Sequence, residues 1–275
     1  MGHAQPLDFL DFEHWYLKNE CANIPHFTRA EKKRGAIIHL HFHHKHLTAI
    51  LLTAVFLNEL RRGKLKLHLH SLRRLSWRRY VIPAGWLALL TPALFFIDSA
   101  LLFQTQSLKE PSAWLIRFGS WIGKSDVFWT ILTFAYLTFV ILRHLKGLDR
   151  VFGVCLTSLA TALSALPLKF SFLRARPSAD LGPFSFFHLE GILEDARNFQ
   201  SFPSGDTAAV AGAAGYLFFA FANRPWRWLL LLFPLASAWA RVSLNRHWPS
   251  DTFFSLGLGL LAGHIFSEFK KTPAP

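Results

Sequence analysis

Long apolar stretches separated by short polar segments dominate the chain after residue 80. A helix needs ~20 mostly apolar residues to cross the hydrocarbon core of a bilayer, so this pattern is typical of membrane spans. Because lipid offers no water to unpaired backbone groups, each span is expected to be helical. The pattern predicts six spans, at residues 81–103, 126–143, 151–168, 205–222, 226–241 and 251–268. We therefore predict an all-α integral membrane protein whose six transmembrane helices form one bundle over residues 81–269.

Residues 1–80 differ from the rest, and we interpret them as a basic N-terminal extension in the cytoplasm or at the membrane interface. Its apolar stretch from Leu47 to Leu57 is about eleven residues long, too short to span a bilayer. A histidine-rich segment precedes that stretch. It could bind a metal, but no carboxylate or Cys nearby completes a site, so a basic surface stripe is the expected interpretation. Its histidines are His39, His41, His43, His44 and His46.

Composition and charge agree with a membrane protein that has anionic partners. Charged residues make up 17% of the chain, below the ~25% of soluble domains. The net charge is nevertheless +13. A basic balance indicates nucleic acid, anionic lipid or an anionic substrate. Since no nucleic-acid-binding module is visible, we expect the bilayer and its phosphorylated headgroups to be the partners.

The arginines before the first span predict the orientation of the chain. Cytoplasmic loops carry an excess of Lys and Arg, and this segment contains Arg61, Arg62, Arg73, Arg74, Arg78 and Arg79. With the N-terminus inside, six spans return residues 270–275 to the cytoplasm as a short tail. The remaining loops are nearly balanced in charge and do not change this prediction.

Two polar segments between the spans carry groups that suit a phosphate. Lys169 is followed by Arg176-Pro177, and both side chains can bind phosphate oxygens. Ser204-Gly205 stands at the head of the fourth span, where backbone N–H groups, a hydroxyl and the helix dipole favour an anion. Each segment also has a plain structural interpretation, as an interfacial cation or a helix cap.

A third segment adds a possible nucleophile. It runs from Arg241 through His247 to Asp251, between the fifth and sixth spans. A neutral His can attack phosphorus. An Asp four residues later lies one helical turn along on the same face, where it can accept a bond from one ring nitrogen and leave the other free. Given six spans, all three segments lie on the same, outer side of the membrane.

Together the segments give the pattern Lys-x6-Arg-Pro, Pro-Ser-Gly-x and Arg-x5-His-x3-Asp. This signature resembles the type 2 phosphatidic acid phosphatase (PAP2) superfamily, in its branch of membrane-bound bacterial lipid phosphatases, over roughly residues 81–269. The resemblance implies a PAP2-like bundle in the bacterial inner membrane, with an active site that faces the periplasm. It also implies hydrolysis of a lipid phosphate or diphosphate without a metal or cofactor. Substrates of the undecaprenyl diphosphate, lipid A phosphate or phosphatidylglycerophosphate type fit this expectation.

The resemblance also implies a role for each matching residue. His247 would attack phosphorus to give a phosphohistidine, and Asp251 would orient it. The phosphate-binding residues would be Lys169, Arg176, Ser204, Gly205 and Arg241.

Asp206 departs from the family pattern, which usually has a His there as the acid for the leaving group. An aspartate in water is ionised at neutral pH and has no proton to give. Either its surroundings protonate Asp206, or the substrate has a leaving group that needs no acid, such as one end of a diphosphate or an anomeric oxygen.

Several alternatives stay open on sequence grounds. The same residues would serve a phosphotransferase with a lipid acceptor, and a non-catalytic phospholipid-binding membrane protein would need only the basic residues. The long segment 169–204 contains acidic residues and is either a lid over the site or a solvated surface helix. Asp98, near the outer end of the first span, is a candidate for the site or for interfacial hydration. The oligomeric state is not predicted.

Overall fold

The computed structural model describes residues 78–187 and 198–268, and its regular structure within those ranges is entirely helical. The described α-helices are α1 (Arg78–Phe95), α2 (Asp98–Ser107), α3 (Ala113–Ile122), α4 (Ser125–Ile141), α5 (Leu145–Phe172), α6 (Gly205–Ala220), α7 (Leu232–Ser243) and α8 (Pro249–Glu268). There are also two described 3₁₀ helices: Pro177–Ala179, which follows α5, and Pro225–Leu231, which precedes α7. The histidine-rich extension, the acidic part of the 169–204 segment and the C-terminal tail lie outside the described residues.

Every predicted span contains a helix, but the first is divided. The chain bends by 73° between α1 and α2, at a break around Phe96 and Ile97. Within the described ranges, one segment, Leu145–Ala179, is long and apolar enough to cross a bilayer, and the bent pair makes a second if it is counted as one span. The helical class is therefore confirmed, and the count of six spans stays a prediction.

Small residues hold the centre of the bundle together. Helix α6 packs against α5 on one side and α8 on another. A Cβ atom on Gly259 would lie 2.4 Å from the Ala211 Cβ, and one on Gly263 would lie 2.4 Å from the backbone of Gly215. Glycine and alanine thus let the α6 and α8 backbones touch, as small residues do in helix pairs packed inside membranes.

Helix α3 was not predicted from the sequence, and it packs on α7 by the same means. A Cβ on Gly119 would fall 2.0 Å from the carbonyl oxygen of Ala236. Trp239 on α7 donates its indole N–H to the Ser112 hydroxyl at the start of α3, at 3.0 Å. At ten residues, α3 is too short to satisfy a search for spans, which is why the apolar pattern did not reveal it.

Large apolar side chains cover much of the described surface. Soluble monomers rarely expose contiguous patches of this kind. The most exposed examples are Phe96, Ile141, Phe103, Trp114, Ile82, Leu145, Leu142, Phe134 and Leu89.

We predict that Gly263→Ala destabilises the bundle, whereas Gly85→Ala does not. A methyl group added at Gly263 would meet backbone atoms of α6, which cannot rotate away. Such overpacking costs about 1–3 kcal/mol. Gly85 has nothing within 4 Å of its Cβ position, so alanine there gains up to about 1 kcal/mol of helix propensity. Thermal unfolding of both variants in detergent measures the difference. Equal midpoints would contradict the close α6–α8 contact.

Candidate active site

The chain that leaves α5 turns back at once and places two basic side chains at the helix end. Leu173 ends α5 in the left-handed conformation, with φ of 44°. The following segment is held by backbone bonds, among them one from the Arg176 N–H to the Asn198 carbonyl at 2.8 Å. Lys169, in the last turn of α5, donates to the Gln200 carbonyl at 3.3 Å. These bonds fix the Lys-x6-Arg segment beside the Pro-Ser-Gly segment.

Ser204 and Gly205 form the N-terminus of α6. Ser204 is the N-cap and is fully buried, and its hydroxyl accepts from the Thr207 N–H and donates to the Thr207 side chain at 3.0 Å. Gly205 begins the helix, and a Cβ there would lie 3.9 Å from Cε of Lys169. The positive end of a helix dipole and the Lys169 ammonium thus face the same space, which favours an anion there.

Arg241 approaches the same helix end from α7. Its Nη2 lies 3.1 Å from Oδ2 of Asp206, and its side chain is only 8% exposed whereas that of Asp206 is 43% exposed. Among the described residues, its buried Nε has no hydrogen-bond partner. A guanidinium with donors to spare, beside a partly exposed carboxylate, can bind a second acceptor such as a phosphate oxygen.

His247 is buried in the turn between α7 and α8, and its ring is fixed by a backbone carbonyl. Nδ1 lies 2.6 Å from the carbonyl oxygen of Ser201. A carbonyl can only accept, so Nδ1 carries the proton and Nε2 of the neutral ring keeps its lone pair. The sequence led us to expect Asp251 as the acceptor, but its Oδ2 is 3.8 Å from Nδ1, beyond hydrogen-bond range.

Asp251 instead organises the groups around His247. Its Oδ2 accepts from the Ser201 hydroxyl and from the Trp248 N–H at 2.9 Å. Its Oδ1 accepts from Nη1 of Arg174 at 2.6 Å. Asp251 therefore anchors the residue whose carbonyl holds the imidazole, and it also caps the start of α8.

Arg174 was not among the sequence-predicted site residues, yet it lies at the centre of the polar network. Its side chain is fully buried between two carboxylates, with Asp98 at 2.6 Å from Nη2 and Asp251 at 2.6 Å from Nη1. The sequence did contain a signal: an Asp inside an apolar stretch requires a buried partner, and Asp98 is such a residue. Spacing could not identify that partner, because Arg176 stands two residues after Arg174 and the sequence does not distinguish the two.

The predicted site residues act on one another electrostatically. Lys169 interacts with Arg176, Asp206, Asp251 and Arg241. Burial lowers the pKa of His247 from its ordinary value, and the cations Lys169 and Arg176 act in the same direction while Asp251 opposes them. A neutral imidazole surrounded by cations suits attack on an anionic centre. Within the described ranges, no group of three or more His, Cys, Asp or Glu side chains is placed to hold a metal ion.

A sequence model described as the PAP2 superfamily matches residues 148–273, a range that contains all three polar segments. Residues 148–273 are therefore similar to the PAP2 superfamily.

The crystal structure of Aquifex aeolicus LpxE is similar to this chain, with 22% sequence identity and a TM-score of 0.46. The similarity covers 62% of this chain and 93% of that one. No curated protein matches the chain significantly.

We predict that Asp206→Asn tightens the binding of inorganic phosphate to the protein. The substitution removes a negative charge from the helix end and releases the Arg241 donor that Asp206 occupies. Half-exposed ion pairs contribute up to about 1 kcal/mol, so the gain is expected to be about two- to fivefold. Calorimetric titration of the detergent-solubilised protein measures it. Glu110→Gln, which removes an exposed carboxylate on the segment before α3, is the matched control, and an equal gain there would refute the local explanation.

Proposed function

We propose that this protein is an integral membrane lipid phosphatase that hydrolyses a phosphate or diphosphate headgroup through a phosphohistidine. The observation that carries the proposal is the bond between His247 Nδ1 and the Ser201 carbonyl. It leaves Nε2 as the nucleophilic nitrogen, within the electrostatic influence of Lys169 and Arg176. A nucleophile of this kind among cations fits phosphoryl transfer better than binding alone.

In the first step, Nε2 of His247 attacks phosphorus in line with the leaving group. The P–N bond forms as the P–O bond breaks, and the electron pair departs with the leaving oxygen. Lys169, Arg176 and Arg241 offset the charge on the phosphoryl oxygens, which is the main contribution a protein makes to this chemistry. Ser204 and the Gly205 N–H add hydrogen bonds at the helix terminus. Water then attacks phosphorus, releases orthophosphate and restores the neutral imidazole. This scheme needs neither a metal nor a cofactor.

The pairing of Asp206 supports a choice of substrate class. The carboxylate of Asp206, in the first turn of α6, lies 3.1 Å from the Arg241 guanidinium and accepts from it. A carboxylate that accepts from a guanidinium is poorly suited to donate a proton to an alkoxide. We therefore favour substrates whose leaving group departs without an acid, namely a polyprenyl diphosphate or the anomeric phosphate of a lipid A type lipid.

An apolar cavity beside the network supports a lipid substrate. It has a volume of about 720 Å³, lies between α2, α3 and α7, and reaches Pro249 and Thr252 on either side of Ser250 and Asp251. A cavity of that size and character suits hydrocarbon rather than a water-soluble ester.

The proposed setting is the bacterial inner membrane with the site facing the periplasm. Residues 1–80 would be a cytoplasmic or interfacial extension, residues 81–269 the membrane domain and residues 270–275 a cytoplasmic tail. The exposed apolar side chains of the described helices support a bilayer environment.

The decisive experiment measures phosphate release by the purified full chain from a panel of lipids. The panel contains phosphatidic acid, phosphatidylglycerophosphate, undecaprenyl diphosphate and lipid A. Radiolabel that moves from donor to a second lipid instead of to water would establish a phosphotransferase, and lipid binding without turnover would establish a non-catalytic binding protein.

We predict that His247→Ala abolishes phosphate release from the preferred lipid. Alanine removes the nucleophile, and no other described residue takes its place beside Ser201. The loss should appear in kcat while lipid binding persists, because the basic residues are unchanged. Release at the unaltered rate would overturn the assignment of His247.

We predict that Asp206→His keeps or raises activity on simple phosphate monoesters. A histidine supplies a proton near neutral pH, which a poor alkoxide leaving group needs and a carboxylate bonded to Arg241 does not provide. The ratio of monoester to diphosphate turnover measures the effect. A large loss on monoesters would count against this account of Asp206.

A further inference from the structure

We propose that Arg174 and Asp98 are positioning residues for His247, acting through Asp251 and Ser201. This inference rests on the proposed role of His247 as the nucleophile. It extends the site to α2 and to the end of α5, beyond the residues assigned above.

The contacts form a continuous path from α2 to the imidazole. Asp98, the first residue of α2, accepts from Nη2 of Arg174 at 2.6 Å and from the Ser250 N–H at 2.8 Å. Arg174 Nη1 donates to Asp251 at 2.6 Å. Asp251 accepts from the Ser201 hydroxyl, and the Ser201 carbonyl holds Nδ1 of His247 at 2.6 Å. Each side chain in this path is buried.

The geometry requires an arginine at position 174. Its planar fork presents Nη1 to one carboxylate and Nη2 to the other, while Nε and Nη2 both donate to the Pro183 carbonyl, at 2.9 and 2.7 Å. Phe95 covers one face of the guanidinium, with Cζ 4.4 Å from the ring centroid. A lysine offers a single ammonium and cannot hold two carboxylates in this arrangement.

The same cluster sets the charge that His247 experiences. Arg174 offsets one of the two negative charges of Asp98 and Asp251. Removing the charge of Arg174 or of Asp98 therefore changes the electrostatic field at the imidazole. The other charged groups around His247 are Lys169 at the end of α5 and Arg176 after it.

A second ion pair acts on the cations near His247. Arg241 of α7 pairs with Asp206 of α6, and both act on Lys169. All of these groups stay unchanged in the variants below.

The test compares Arg174→Gln with Asp98→Asn. Loss of Arg174 leaves the carboxylates uncompensated, which favours the imidazolium, raises the pKa of His247 and moves the acid limb of kcat/KM to higher pH. Loss of the Asp98 charge shifts the pKa of His247 in the opposite direction. Arg174 then offsets Asp251 more fully, so the pKa of His247 falls and the acid limb of kcat/KM moves to lower pH. A merely structural role would not give shifts of opposite sign.

Arg174→Lys separates charge from geometry. It keeps the charge, so the acid limb should stay near that of the unaltered protein. It loses the fork, so kcat should fall on the order of 100-fold through misplacement of the imidazole, with KM little changed because the phosphate-binding residues are untouched. Arg117→Gln, at an exposed position on α3, is the control and should leave both quantities unaltered.

The readout does not depend on activity alone. The His247 ring resonance, identified by its disappearance in His247→Ala, can be titrated by NMR in the detergent-solubilised full chain. If no lipid is hydrolysed, the proposed function fails while the titration still tests the positioning path. Opposite shifts in Asp98→Asn and Arg174→Gln support the proposal. Shifts that are absent or of the same sign overturn it. If Arg174→Gln does not fold, an unmoved His247 titration in Asp98→Asn overturns it equally.

Discussion

The structure depends most on a single fully buried arginine shared by two carboxylates. Arg174 joins Asp98 at the start of α2 to Asp251 at the start of α8, with bonds of 2.6 Å to each. Removing one partner of a buried pair commonly costs about 3–5 kcal/mol, because the remaining charge is left without compensation. Here that constraint has two consequences. It fixes where the N-termini of two helices lie, and it fixes the carboxylate that holds Ser201 and, through it, His247.

Close helix packing makes this convergence possible. The segments with Ser201, Ser204 and Asp206 precede or begin α6, while those with His247 and Asp251 precede or begin α8. Glycines at positions 259 and 263 bring the two helix backbones into contact. Adjacent helix starts then place backbone N–H groups, caps and the imidazole in one small volume. Close packing of small residues thus brings the polar groups of the site together.

The charge distribution in that volume is asymmetric in a useful way. Asp251 and Asp98 are paired with Arg174 on the buried side, and Asp251 also acts electrostatically on Lys169. Lys169, Arg176 and Arg241 lie on the other side, where Asp206 pairs with Arg241. In the proposed function, a tetrahedral anion would compete with Asp206 for Arg241, so Asp206 would influence which substrate is preferred.

The sequence by itself determined the helical class, the approximate place of each long helix and the PAP2 signature, because apolar runs and motif spacing are local properties. It also selected Lys169, Arg241 and His247, whose residue types suit phosphate chemistry wherever they lie. It did not determine the bend between α1 and α2, the short helix α3, or the partner of Asp98. Those depend on which side chain reaches which across the bundle. Whether Ser201 or Asp251 holds the imidazole was likewise decided by tertiary structure, since a difference of 2.6 Å against 3.8 Å has no counterpart in residue spacing.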